Sequence, residues 1–345
     1  HKHFDNPAFF CYIFNISITF KEGKMERKSF KQSLTLLTFS MLLTMLLGIS
    51  FPVKTQAAAQ GTWVRICHNG YGDPVEIGGY SYYYNHEQGS SLFQVCRQDR
   101  QTGATQVILN FKPEYVHVAT FIYTNGKYLI YQDDIGYVYR KNADGTGKAR
   151  KILDLHLYKT KNSFTSMIPY GNKIFYSTSS GYTTHYKIYS VNITGKANKK
   201  TLSKSYNLEF PSTQVQDRYF YVSNSKNQAA VLDAKTGKIR KLNSSGTAST
   251  VTRIGNYWYY AVSNSPYASG TKITFYKKKA SGSGSAKKLA TVSKKGYTLD
   301  SIQEITPTGA YYTNKTYYFL NFKTKSFKKT TRTFWYYVGK NAAYL

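Results

Sequence analysis

The sequence predicts an all-β protein, a six-bladed β-propeller, and three observations carry that expectation. First, a unit of aromatic strand, polar loop, second apolar strand, turn and short basic strand recurs six times between Tyr82 and the C-terminus. Second, its turns align on Gly103, Gly145, Gly195, Gly237, Gly282 and Lys325, in steps of 42, 50, 42, 45 and 43 residues. A period of ~40–50 residues with several short strands per copy is that of a propeller blade. Third, no segment after Gln60 shows sustained helical periodicity with caps.

The N-terminus is read before the repeats. Met25 is the expected start. A basic stretch (Arg27, Lys28, Lys31), an apolar run over 34–51 and Ala57-Ala58-Ala59 follow it. That order is a secretory signal peptide over 25–59, with cleavage expected after Ala59. Residues 1–24 are read as upstream DNA translated in frame, because Lys21-Glu22-Gly23 fits a purine-rich ribosome-binding site. The alternative is an uncleaved anchor, since the 18 residues of 34–51 sit at the lower limit for a bilayer span. Cleavage leaves one propeller domain over 60–345, with no membrane span and a secreted or cell-wall-associated location.

That mature part holds 40 basic and 14 acidic residues, a net charge of +26. Such an excess attracts polyanions and does not determine a fold. Two cysteines remain, Cys67 and Cys96. An oxidising compartment allows them to pair, and two buried thiols are the alternative. Either way stability must come from a hydrophobic core.

The first aromatic strand of each repeat is expected over 80–84, 127–131, 173–176, 218–221, 256–260 and 310–312. Most follow a turn residue: Gly79, Gly126, Gly171, Asp217, Gly255 and Gly309. The following strands fall over 92–95, 137–139, 187–191, 230–232, 273–276 and 317–320. Their β-branched and aromatic residues, bounded by turn formers, are strand signals. A central blade strand is buried on both faces, so these segments read as continuous runs and do not alternate. The same geometry accounts for 34 tyrosines, whose rings fill wedges between blades while their hydroxyls reach water or backbone. Two further strand-like segments, 62–66 and 333–338, lie outside the repeats. One of them is expected to complete a blade from the other end of the chain, and a partial seventh repeat from Trp335 is the alternative.

The run Tyr128-Leu129-Ile130-Tyr131, Tyr137-Val138-Tyr139-Arg140, Asp144-Gly145-Thr146-Gly147, Lys151-Ile152-Leu153 resembles the repeat of the low-density-lipoprotein-receptor-related type of six-bladed propeller. More closely it resembles that fold's bacterial relatives, secreted by Gram-positive bacteria and of unknown function. The resemblance covers roughly 75–330 and implies a fold and an envelope location. The receptors' Tyr-Trp-Thr-Asp strand is replaced by Tyr-Leu-Ile-Tyr or by Trp258-Tyr259-Tyr260, so receptor-type ligand recognition does not follow.

The most regular polar feature is a basic doublet beside the outer strand: Arg150-Lys151, Lys199-Lys200, Arg240-Lys241, Lys287-Lys288 and Lys328-Lys329. The first repeat has Thr105-Gln106 instead. Repeated at one height, the doublets form a discontinuous basic belt suited to an anionic cell-wall polymer or glycan. They also block edge-to-edge aggregation. A second candidate surface is the loops after the aromatic strands, with Asn85-His86, Asp133-Asp134, Tyr182 and His185, and Pro266-Tyr267. Aromatic and polar loop residues suit a sugar, a peptide or a surface protein, and solvated hairpin tips are the plainer account.

Catalytic signals are poor. The rival reading, an extracellular carbohydrate-active enzyme on the loop face, has only Asp133, Asp134 and His185 to offer. Adjacent strand residues point to opposite faces, so the aspartates form no natural dyad. The mature histidines (His68, His86, His117, His156, His185) lack metal-ligand spacing, and no Gly-x-Ser-x-Gly elbow occurs. Asp144-Gly145-Thr146-Gly147 reads as a turn before it reads as a cation loop. No cofactor, no catalytic or metal residue, no nucleic acid and a monomer are expected.

Overall fold

A computed structural model describes residues 56–58, 61–67, 74–86, 93–111, 121–133, 136–155, 162–180, 186–195, 198–209, 216–314 and 316–330. The chain divides into two units, His1–Val53 and Lys54–Leu345, and every described residue belongs to the second. The expected signal segment therefore lies outside the described residues except for its last strand-forming stretch. Among the described residues no helix is long and apolar enough to cross a membrane.

The described chain forms six sheets in sequence order, each built on four antiparallel strands, the six blades of a β-propeller. Blade one is Val75–Ile77, Tyr80–His86, Phe93–Asp99 and Thr105–Phe111. Blade two is Ile122–Thr124, Tyr128–Gln132, Tyr137–Asn142 and Arg150–Asp154. Blade three is Asn162–Tyr170, Lys173–Ser180, Tyr186–Asn192 and Lys200–Ser203. Blade four is Tyr206–Leu208, Tyr219–Asn224, Ala229–Asp233 and Ile239–Lys241. Blade five is Thr247–Ile254, Tyr257–Ser263, Ile273–Lys279 and Lys287–Val292. Blade six is Ile302–Ile305, Gly309–Asn314, Thr316–Asn321 and Phe327–Thr330. The aromatic strand expected from sequence is the second of each blade, and the basic strand is the outermost.

Five hydrophobic clusters fill the five seams between consecutive blades. Successive residues of one strand go to opposite seams, which is why the strands carry unbroken apolar runs. On blade three Ile174 and Tyr176 pack with blade two, while Phe175 packs with blade four. On blade five Trp258 and Tyr260 face blade four, while Tyr259 and Ala261 face blade six. The tyrosines do the filling their number implied: Tyr131 stacks on Tyr139, Tyr176 on Tyr189 and Tyr260 on Tyr276, with ring centroids 5.3, 5.2 and 5.6 Å apart. Each pair stands directly across a strand pair, where aromatic side chains stabilise a sheet most.

The marker turns have a structural reason. Those at Gly145, Gly195, Gly237 and Gly282 seat against the outer strand of the preceding blade. A Cβ on Gly195 would lie 3.2 Å from the Ile152 Cα, and one on Gly282 would lie 3.0 Å from the Arg240 Cβ. Both glycines also have positive φ, 69° in each case, where a side chain is strained. Lys325, the one marker that is not glycine, also has positive φ, 54°.

The N-terminal strand bears on one half of the expectation about ring closure. Val64–Cys67, which overlaps 62–66, one of the two segments of which one was expected to complete a blade from the other end of the chain, pairs antiparallel with Ile122–Thr124 and so extends the inner edge of blade two. Gln56–Ala58 pairs parallel with Val75–Ile77 and extends blade one in the same way. Between them Trp63, 2 % exposed, fastens three blades. Its indole Nε1 donates to Gly171 O of blade three at 2.8 Å. Its carbonyl accepts from Gln216 N, just before the second strand of blade four, at 2.8 Å. Beside it Gly61 N donates to Asn125 O of blade two at 3.1 Å. The other closing segment, 333–338, lies outside the described residues. Cys67 and Cys96 are both buried.

Candidate anion-binding rim

Each basic doublet sits on, or immediately before, the outermost strand of its blade, and all ten side chains are exposed. The register is regular. Lys151 lies across from Tyr139, Lys288 from Tyr276 and Lys329 from Tyr318. Lys200 lies across from Ser190, next to Tyr189, and Arg240 from Val231. Tyrosine behind lysine is a packing arrangement. The Lys199 ammonium lies 4.2 Å from the Tyr189 ring centroid and that of Lys151 lies 4.0 Å from the Tyr137 ring. Such contacts cover an aromatic face with an aliphatic stem and leave the charge in water.

Neutralisation separates the rim from the rest of the molecule. Among the described residues, the ion pairs join Arg100 to Glu76 at 2.9 Å, Arg218 to Asp233 at 2.7 Å and Arg253 to Asp217 at 2.8 Å. None involves a doublet residue. The Arg218–Asp233 pair is bidentate, Nε and Nη2 each donating at 2.7 Å. These bonds hold the buried Asp233 carboxyl down to about 2. The outer strands carry a single carboxylate, Asp154. The rim is therefore a surface of exposed positive charge with little counter-charge of its own.

The loop face is less coherent. Tyr182, His185 and Asp134 lie outside the described residues. Tyr267 is 73 % exposed on a connection that is tied down. Leu299 N donates to Pro266 O at 2.9 Å, Gly270 N to Tyr297 O at 3.1 Å and Gly296 N to Ser269 Oγ at 2.8 Å. The Asp133 carboxylate accepts from Gly136 N at 2.9 Å and Tyr137 N at 2.8 Å. It closes a turn, as aspartate commonly does. Its charge and hydrogen bond add to burial in pushing Tyr139 up to about 12. Asp144 likewise accepts from Thr146 N at 2.8 Å and Thr146 Oγ1 at 2.6 Å, which bears out the turn reading of that motif.

Sequence reasoning missed a polar network on the inner strands of blades three and four. Ser177 Oγ donates to Asn207 Oδ1 at 2.9 Å across the seam, and Ser223 Oγ donates to Glu209 Oε1. It also missed the partners of Arg240 and Lys278, whose hydrogen bonds cross from blade to blade. No local pattern marks such pairs, because each joins residues 30 or more positions apart except the one within blade four.

No family model matches the chain, and no curated protein matches it either. Solved structures are similar in fold. An oligogalacturonate lyase in complex with manganese matches at 9 % identity over 75 % of this chain and 76 % of that one, with a TM-score of 0.43. An oligogalacturonate lyase from Vibrio parahaemolyticus matches at 11 % identity over 78 % and 80 %, with a TM-score of 0.45. The dipeptidyl peptidase 4 of Porphyromonas gingivalis matches at 8 % identity over 72 % of this chain and 44 % of that one, with a TM-score of 0.44. At such identities and scores the likeness says nothing about what this chain binds or does.

Proposed function

We propose that the protein is a secreted, non-catalytic binding propeller that contacts an anionic cell-wall polymer or glycan through its rim. One observation carries the reading: ten exposed lysines and arginines line the outer strands of five blades, which hold one carboxylate among them. A rim charged on that scale has an electrostatic cost that a polyanion relieves. The doublets' spacing around the rim suits a long polymer that touches several blades in turn. The test is co-sedimentation of the protein with purified cell walls, with and without teichoic acid, over a salt series. Binding should depend on teichoic acid and fade as the screening length drops from about 10 Å at 0.1 M salt to about 3 Å at 1 M. Salt-insensitive binding, or none, removes the rim from the function.

A further inference from the structure

The rim cations are not equivalent. At the seam between blades four and five two of them cross in opposite directions. Arg240, on the outer strand of blade four, donates from Nη1 to Ser281 O of blade five at 3.2 Å. Lys278, on the third strand of blade five, donates from Nζ to Lys241 O of blade four at 2.8 Å. Both acceptors are neutral carbonyls, and among the described residues no ion pair involves either cation. Each is thus held in place without being neutralised. Burial pushes the Lys278 ammonium below its usual range, the direction expected of a cation that has lost water and gained no counter-charge.

The same hairpin adds two further features. Lys288 lies across from Tyr276, two residues before Lys278, so Lys288 and Lys278 share the face that looks toward blade four. On the other face Lys277 stands directly across from Lys287, a like-charge pair that disfavours the hairpin unless an anion lies nearby. The connecting turn is Ser281-Gly282-Ser283-Gly284-Ser285. Gly282 and Gly284 have φ of 69° and 72°, and the serines between and beside them do not have positive φ. The turn closes on itself: Gly282 N donates to Lys279 O at 2.8 Å and Ser283 N to Ser281 Oγ at 3.4 Å. The Ser281 and Ser283 hydroxyls, 2.7 Å apart, hydrogen-bond to each other across it.

We propose that this seam, formed by Arg240, Lys278 and Lys288 beside the turn over 281–285, is the anchoring subsite for a phosphate group of a phosphodiester polymer. The proposal rests on the rim reading and deepens it by naming the chemical class and the place. Cationic donors arrive from the outer strand of blade four and from the third and outer strands of blade five, in several directions. A tetrahedral phosphate offers oxygens in several directions, whereas a planar carboxylate offers two in one plane, best met by a single bidentate arginine. Arg240 has committed Nη1 to Ser281 O and keeps Nε and Nη2 as a fork, while Lys278 and Lys288 add point charges from other directions, which a tetrahedral centre accommodates better than a carboxylate met in one plane.

The test is a binding titration of the whole protein with inorganic polyphosphate and, separately, with polygalacturonate of similar length, over a salt series. Three proteins are compared: the natural chain, Arg240→Ala/Lys278→Ala, and Lys328→Ala/Lys329→Ala, which loses the same charge on blade six. The seam double should weaken polyphosphate binding about tenfold and lower the log–log salt slope by roughly two, while the blade-six double weakens it less than about threefold. The two doubles should affect polygalacturonate equally. Equal losses of polyphosphate binding in both doubles overturn the seam and leave the rim reading standing. Failure of the natural chain to bind either polymer overturns the rim reading itself. Ser283→Glu, on an exposed position, gives a check independent of packing. It should abolish the preference for polyphosphate with no change in Tm, and retention of that preference counts against the seam.

Discussion

Replacing Trp63 by alanine tests whether the N-terminal segment is a structural part of the propeller. The side chain is 2 % exposed and lies in the cluster between blades two and three, with Tyr123, Ile130, Met167 and Tyr176. A buried tryptophan removes ~150–250 Å² of surface from water, and truncation of one to alanine costs about 3–5 kcal/mol. The indole also donates to Gly171 O at 2.8 Å. Trp63→Phe keeps most of the volume and loses that bond with a small part of the ring, so it should cost less, roughly 1–2 kcal/mol. Urea unfolding followed by far-ultraviolet circular dichroism should therefore rank the natural chain above Trp63→Phe and that above Trp63→Ala. The alanine variant should melt roughly 10 °C lower. An alanine variant within about 1 kcal/mol of the natural chain would refute the argument, because a tryptophan so buried cannot be lost that cheaply.

Further expectations follow from the same geometry. Gly195→Ala should destabilise by about 2 kcal/mol, from the left-handed backbone and from the approach to Ile152, whereas Gly103→Ala, which meets nothing within 4 Å, should show only the backbone part. Asp233 is held down to about 2 by Arg218, so its contribution is present above pH 4 and is lost as pH falls toward 2. Asp233→Asn should cost roughly 2 kcal/mol at neutral pH and flatten acid unfolding between those limits. Burial and neighbouring groups push Tyr131 and Tyr139 up to about 12. An unfolded tyrosine ionises near 10, so this contribution is whole below pH 10 and is lost as pH climbs toward 12. The urea midpoint should be flat from pH 8 to pH 10 and fall above it.

The blade strands were legible because burial on both faces leaves a composition signature. The run 173–176 announces itself as apolar and aromatic before one knows that Phe175 faces one neighbour while Ile174 and Tyr176 face the other. The marker turns were legible for the same local reason, since a left-handed turn against a neighbouring strand selects glycine. The place of 62–66 was not legible. Its residues signal a strand, but which edge it joins depends on Asn125, Gly171 and Gln216, far along the chain. The doublets were visible as a repeat, and their height on the outer strands followed. What distinguishes Arg240 and Lys278 from the others was hidden, because their partners Ser281 and Lys241 are 41 and 37 positions away and are ordinary backbone carbonyls. Asp133 drew notice as half of a carboxylate pair, yet its chemistry is that of a turn former.

The attachment of Trp63 has a consequence for how the chain reaches its native state. Its indole partner is 108 positions downstream, and the amide that binds its carbonyl lies farther still, at Gln216. A chain emerging N-terminus first exposes this large apolar ring long before anything exists to receive it. At ~5–20 residues per second the delay until blade four emerges is on the order of ten seconds. During that interval the ring is available to chaperones, to membranes and to other nascent chains. Early blades can gain their own hydrogen bonds meanwhile, but the final locking of blades two, three and four waits on the arrival of residue 216.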